Sequence, residues 1–174
     1  MAALDAVTSG SAPWRAASDS WQPTAAELEE VLAHHREWRK SKKGKIANLS
    51  DANLSARNLR RVDLSFARLS AANLSTANLS YAELKFANLR AANLAAAKLQ
   101  GADFSHAYLA GANLSRANLQ EANFKGANLE GADLSEADVT GANLLDAFLA
   151  GANLRGTDIP APDSCRQGVG GAGS

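Results

Sequence analysis

Cys165 is the one cysteine of this chain, so no internal disulfide can staple the fold. A lone thiol fits a reducing compartment, and the cytoplasm is the expected location. An excess of charge is also missing. The 18 Lys and Arg balance the 18 Asp and Glu, so no whole-chain field draws the molecule to nucleic acid or to a lipid surface. No run approaches the ~18 consecutive apolar residues that a membrane span needs. The opening residues, MAALDAVTSGSAPW, hold no basic stretch followed by an apolar one, so no secretory signal is expected. At 174 residues there is room for one domain.

Groups for chemistry are equally scarce. The long repeated region contains one histidine, His106, no cysteine and no glycine-rich phosphate loop. Catalysis needs convergent reactive groups in a cleft. His34 and His35 have no second cluster to complete a metal site. The expectation is therefore no enzyme, no metal and no cofactor.

What the chain has in abundance is a period of five. From Leu49 to Ile159 an apolar residue returns at every fifth position, giving 23 centres: 19 Leu, Phe104, Phe124, Val139 and Ile159. Two places before the centre stands Ala in 20 cases, with Arg57, Val62 and Thr157 as exceptions. Between them lies Asn 13 times and Asp five times. Five matches neither the 3.6 period of a helix nor the alternation of a half-buried strand. Asn at fixed spacing argues further against helix. A short fixed repeat points to a solenoid, whose units bury an apolar face only by stacking on neighbours. The large apolar residue fills the interior, and the small Ala also points inward where space is short. The other three positions are expected to face out.

Composition divides the chain into four parts. Residues 1–23 read as a flexible leader, although Trp14 and Trp21 are costly to leave in water. Residues 24–44 read as a helix: Thr24 with Glu27 forms a capping-box pattern, and Leu28, Val31, Leu32, His35 and Trp38 make one apolar face. Acidic residues open this helix, basic ones close it, and Gly44 is the expected stop. Residues 45–161 are the repeat, ended by Pro160 and Pro162. Residues 162–174 are a Gly-rich tail with too little apolar surface to order itself.

With Ala47-Asn48-Leu49-Ser50-Asp51 and Ala52-Asn53-Leu54-Ser55-Ala56 opening the array, and Ala127-Asn128-Leu129-Glu130-Gly131 and Ala152-Asn153-Leu154-Arg155-Gly156 near its end, the chain resembles the pentapeptide repeat family. The resemblance implies an all-β solenoid: a right-handed quadrilateral β-helix with four pentapeptides per coil and just under six coils. The segment Leu32-x-x-His35-x-x-Trp38 is similar to a lead-in helix of that family, which would cap the first coil. An open solenoid end exposes core and unpaired edges. His35 then reads as packing beside Trp38.

On that architecture residues 20 apart stack, which sorts the outer positions. Phe66, Phe86 and His106 fall in one column, followed by Gly126, with Lys85 and Lys125 flanking and Tyr81 nearby. Such a ring ladder reads either as a partner-binding stripe or as a stabilising stack that needs no partner. Tyr108 and Phe148 replace the usual Asn or Asp on another face. Leu145 and Phe148, at the open end, are candidates for self-association, as a homodimer through the C-terminal coil. Since the repeated residues are explained by stacking, specificity toward a protein partner is expected in the deviations: Phe66, Phe86, His106 and Tyr108.

Charge is uneven along the array. Residues 47–100 hold seven cations against three carboxylates; residues 101–161 hold three against eight. A second reading comes from the family's DNA-mimicking, gyrase-binding members. It implies a strongly acidic rod with a C-terminal helical dimerisation module. This chain departs on both counts, and direct nucleic-acid binding lacks a stacking platform in the basic stretch.

Overall fold

A computed structural model of the protein describes residues 21–159. The expectations for Trp14, Cys165, the prolines after Ile159 and the Gly-rich tail fall outside the described residues.

Parallel bridges join the residue before a centre to the one 20 positions on: Asn53 to Asn73, Asn73 to Asn93, and so on to Asp133 with Asn153. Twenty residues are four five-residue units, so the chain turns four corners and lands on itself. The result is a four-sided β-helix. Face 1 is built on Leu49, Leu69 and their successors, face 2 on Leu54 and Leu74, face 3 on Leu59 and Leu79, and face 4 on Leu64, Leu84, Phe104 and Phe124.

The backbone N–H groups explain the unit residue by residue. In the unit starting at Ala52, Ala52 N–H donates to the Leu49 carbonyl (3.2 Å) and closes a turn, while Asn53 N–H donates to the Trp21 carbonyl. Leu54 N–H donates to Asn73 O and Ala56 N–H to Ser75 O in the next coil, at 2.7 and 3.0 Å. The fifth donor, Ser55 N–H, has no backbone acceptor; it donates to the Asn53 side-chain oxygen at 3.1 Å. Buried or half-buried backbone donors must be paired, and the short Asn or Asp side chain reaches its own chain two residues on. This repeats at Asn73, Asn93 and Asn113. Asn amides also link coils, as from Asn143 to Asn123 and from Asn153 to Asp133. Where the residue before a centre is Asn or Asp it therefore does not simply face out; it carries the fifth hydrogen bond.

Each corner is turned by the residue two after the centre. All 22 such residues, from Asp51 to Gly156, have positive φ, between 53° and 75°. Seven are glycines, all from Gly101 onward. The other 15 accept a left-handed backbone that costs an L-residue ~1–2 kcal/mol, which only the surrounding ladder makes tolerable.

The interior is filled in most units by one Leu or Phe and one Ala. Leu64, Leu84, Phe104, Phe124 and Ala102 are wholly buried, and the Phe104 and Phe124 rings stack at 4.9 Å with parallel planes. Burial loosens toward the last coil, where Ala142, Ala147, Ala152, Leu154 and Ile159 are only partly covered.

The helix α1 spans Ala25–Ser41. Thr24 accepts from Glu27 N–H, and Glu27 returns a carboxylate to Thr24 N–H at 2.7 Å, completing the capping box. Leu28, Val31 and Leu32 are buried in the same apolar cluster as the array, and His35 is buried beside them. Trp21, grouped by composition with the leader, is buried in that cluster too and bridges to Ala52. The helix ends differently from expectation. Lys42, not Gly44, takes the left-handed cap, with φ of 63° and its N–H on the Trp38 carbonyl. Gly44 is needed for close approach: a Cβ there would stand 2.0 Å from the His34 carbonyl oxygen.

Two substitutions test these assignments in denaturant unfolding. Ala102→Leu overpacks the interior and is expected to cost ~1–3 kcal/mol; stability equal to wild type would contradict the inward placement. Asn113→Ala strands the Ser115 N–H and is expected to cost ~0.5–1.5 kcal/mol, whereas Arg68→Ala, at an equivalent place on face 1, stays near neutral.

Candidate functional site

The corner after face 4 carries the chain's aromatic deviations. Phe66, Phe86 and His106 occupy left-handed corner positions, with φ of 67°, 57° and 57°. That geometry points their side chains outward, and the rings lie along the rod. Phe66 stacks on Phe86 at 5.0 Å and 10°, and Phe86 on His106 at 5.1 Å and 12°. Both Phe remain over 40% exposed. The column ends where a ring can rest on bare backbone: a Cβ at Gly126 would stand 2.7 Å from the His106 Nδ1. Tyr81 rests the same way over Gly101. A ring at a corner thus requires a ring or a glycine 20 residues later.

At its other end the column runs into α1. The Trp38 ring meets Phe66 edge-on at 6.0 Å, and His35 stacks on Trp38 at 5.8 Å. Arg39 lies over Phe66 at 5.5 Å and bonds Asp63 through Nε at 2.9 Å. Five rings therefore form a continuous line from a buried joint to the middle of the rod. Composition pointed to the three-ring segment but not to its continuation, because that contact joins a helix to a coil whose relative placement has no local signature. The one clue was Asp63, an acid where Asn is the rule, with Arg39 on the helix to meet it.

The other singled-out residues stand apart. Tyr108 is exposed on face 1, in the bridge column of Asn88 and Asn128, and among the described residues no ring contact joins it to the ladder. Lys85 is tied to Asp103 at 3.3 Å. Leu145 and Phe148 are exposed on adjacent faces near the last coil, Phe148 most of all at 65%.

His35 is a wholly buried polar residue of the joint, as is Ser65. Its Nδ1 accepts the Ala47 N–H at 3.2 Å, while its Nε2 and the nearby Ser65 hydroxyl are buried without a hydrogen-bond partner among the described residues. Burial pulls the imidazole below its ordinary range; Asp63 opposes this and Arg39 adds to it. Asp63 itself is pushed up by burial, but hydrogen bonds from Arg39 and from the Ser65 backbone N–H outweigh that and hold its carboxyl low. Among the described residues no group of three or more His, Cys, Asp or Glu could hold a metal ion. No helix among the described residues is long and apolar enough to cross a membrane.

The family described as Pentapeptide repeats matches the chain in 8 copies, over residues 47–80, 58–94, 97–135 and 132–159. Among solved structures, the pentapeptide repeat protein Rfr23 from the cyanobacterium Cyanothece 51142 is 32% identical. It aligns over 74% of this chain and 95% of its own, with a TM-score of 0.53. The pentapeptide repeat protein alr5209 from Nostoc Pcc 7120 is 34% identical over 81% of this chain and 100% of its own, with a TM-score of 0.39. QnrB1, a plasmid-mediated fluoroquinolone resistance protein, is 24% identical over 72% of this chain and 70% of its own, with a TM-score of 0.35. No curated protein matches the chain. The right-handed quadrilateral β-helix of the pentapeptide repeat family is the fold that the 20-residue pairing builds here.

The joint yields a pH prediction. A histidine whose folded pKa lies below its unfolded value contributes stability in full above the unfolded pKa of ~6.5 and loses it as pH falls below that. Unfolding free energy is expected to decline from pH 7 toward 5 in wild type and to decline less in His35→Gln; identical slopes would remove His35 as the cause.

Proposed function

Because the chain belongs to the pentapeptide repeat family, we propose that it is a non-catalytic rod that presents the face 4 corner to another protein. One observation carries this reading: the Phe66, Phe86 and His106 column is exposed and apolar, on a support whose interior is filled. Rigid aromatic groups cost little entropy to immobilise, and aromatic residues dominate protein interfaces. Tyr108, exposed on face 1 two residues after His106, is taken as the margin of this surface, although among the described residues it makes no ring contact with the column.

The same reading takes the array as just under six coils, a rod ~28 Å long at ~4.8 Å per coil, closed at its first coil by α1. Burial of Leu28, Val31, Leu32 and His35 against the array supports that closure. A DNA-mimicking role would require an acidic surface along the whole rod, and residues 21–100 carry 13 cations against seven carboxylates.

The double variant Phe66→Ser/Phe86→Ser tests the site. Losing the ring stack is expected to cost ~0.2–1 kcal/mol per pair, leaving the fold intact by circular dichroism. Proteins captured from a lysate by wild type should be lost or sharply reduced with the variant. Equal capture by both would leave the ladder a stabilising element only.

A further inference from the structure

Face 3 sorts its charges by height. Its first three coils, residues 57–61, 77–81 and 97–101, hold Arg57, Arg60, Arg61 and Lys98 and no carboxylate. Its last three, residues 117–121, 137–141 and 157–159, hold Glu121, Asp138 and Asp158 and no cation. The other faces mix signs within one half or the other. The ion pairs within the chain also lie elsewhere: Arg36 with Glu29, Arg39 with Asp63, Lys85 with Asp103, and Arg116 with Glu136. Among the described residues, Arg60, Arg61, Lys98, Glu121, Asp138 and Asp158 form no ion pair, and all six are exposed. Arg60 and Arg61 are held over the Tyr81 ring, at 5.6 and 5.9 Å, which keeps both guanidiniums on this surface.

We propose that face 3 pairs with face 3 of a second copy, the two rods lying side by side and antiparallel. A two-fold axis across the rods near the level of Lys98 and Glu121 turns the basic half of one copy onto the acidic half of the other. It does so twice, because an isologous contact repeats each pairing. Arg60 and Arg61 then face Asp138 and Asp158, while Lys98 faces Glu121. A parallel arrangement would set like charges together, so the pattern selects one orientation. The contact is small. A face ~28 Å long and about five extended residues wide offers roughly 400 Å² a side, half the ~800 Å² per partner of a standard stable interface. Association is therefore weak, reversible and governed by charges that salt screens beyond ~10 Å at 0.1 M. The aromatic column sits at the far corner of face 4 and stays open, so this pairing is separate from the surface proposed above.

Sedimentation velocity and small-angle scattering on the full chain test it. In low salt a concentration-dependent dimer with a side-by-side envelope is expected, weakened at least about tenfold at ~0.5 M salt. Arg60→Glu/Arg61→Glu should be monomeric, as should Glu121→Lys/Asp138→Lys/Asp158→Lys. Reversing all five together with Lys98→Glu should restore the dimer, because the swapped face is again complementary to itself. Arg68→Glu/Arg90→Glu on face 1 should leave it unchanged. A monomer at every concentration in low salt overturns the proposal. So does a dimer that survives the face 3 reversals, which would place the contact elsewhere, with Leu145 and Phe148 the next surface to test.

Discussion

Closing a coil in 20 residues leaves the backbone no slack, and the rest of the molecule follows from that closure. Once every coil lies on the last, three of five N–H groups pair between coils and a fourth closes the turn. Only the fifth needs a side chain, and it needs a short one with an acceptor three bonds from the α-carbon. Asn and Asp satisfy it; Leu fills the volume the four walls enclose; Ala fits where the wall folds in. The repeat is the solution to a hydrogen-bond account, with hydrophobic burial supplying the driving force.

Much of this could be read from residues alone. The period of five excluded helix and simple strand, the size difference between Leu and Ala gave their inward positions, and Thr24 with Glu27 marked the start of α1. The role of Asn was not legible, because its partner is a backbone group and no pattern of side chains reveals it. The left-handed corners were hidden for another reason. Glycine marks seven of them, but ten non-glycine residues in a row, from Asp51 to Ala96, hold the same backbone. Tertiary pairing there overrides local preference, and composition reports only local preference. Gly44 misled in the opposite direction: it suits a helix stop, yet it is required by contact with the His34 carbonyl.

The candidate surfaces were legible in proportion to how directly they depend on the 20-residue register. Phe66, Phe86 and His106 could be placed in one column by counting. Trp38, Arg39 and Asp63 could not, since their meeting depends on how a helix docks on a coil. That docking also leaves His35 Nε2 and Ser65 Oγ buried without partners among the described residues, a departure from the array's rule that polar groups are answered by position.

The fold and the surface keep different arithmetic. Inserting one pentapeptide leaves every core and hydrogen-bond requirement met, since the interior recognises only steps of five. It also turns everything downstream by a quarter revolution, scattering any column that relies on steps of 20. Four successive insertions bring the pattern back. A lineage of such chains can therefore change length freely while remaining folded, yet a working face survives only additions of whole coils. Selection acting on a shared face would show itself as lengths that differ by multiples of 20 within the stretch that face spans.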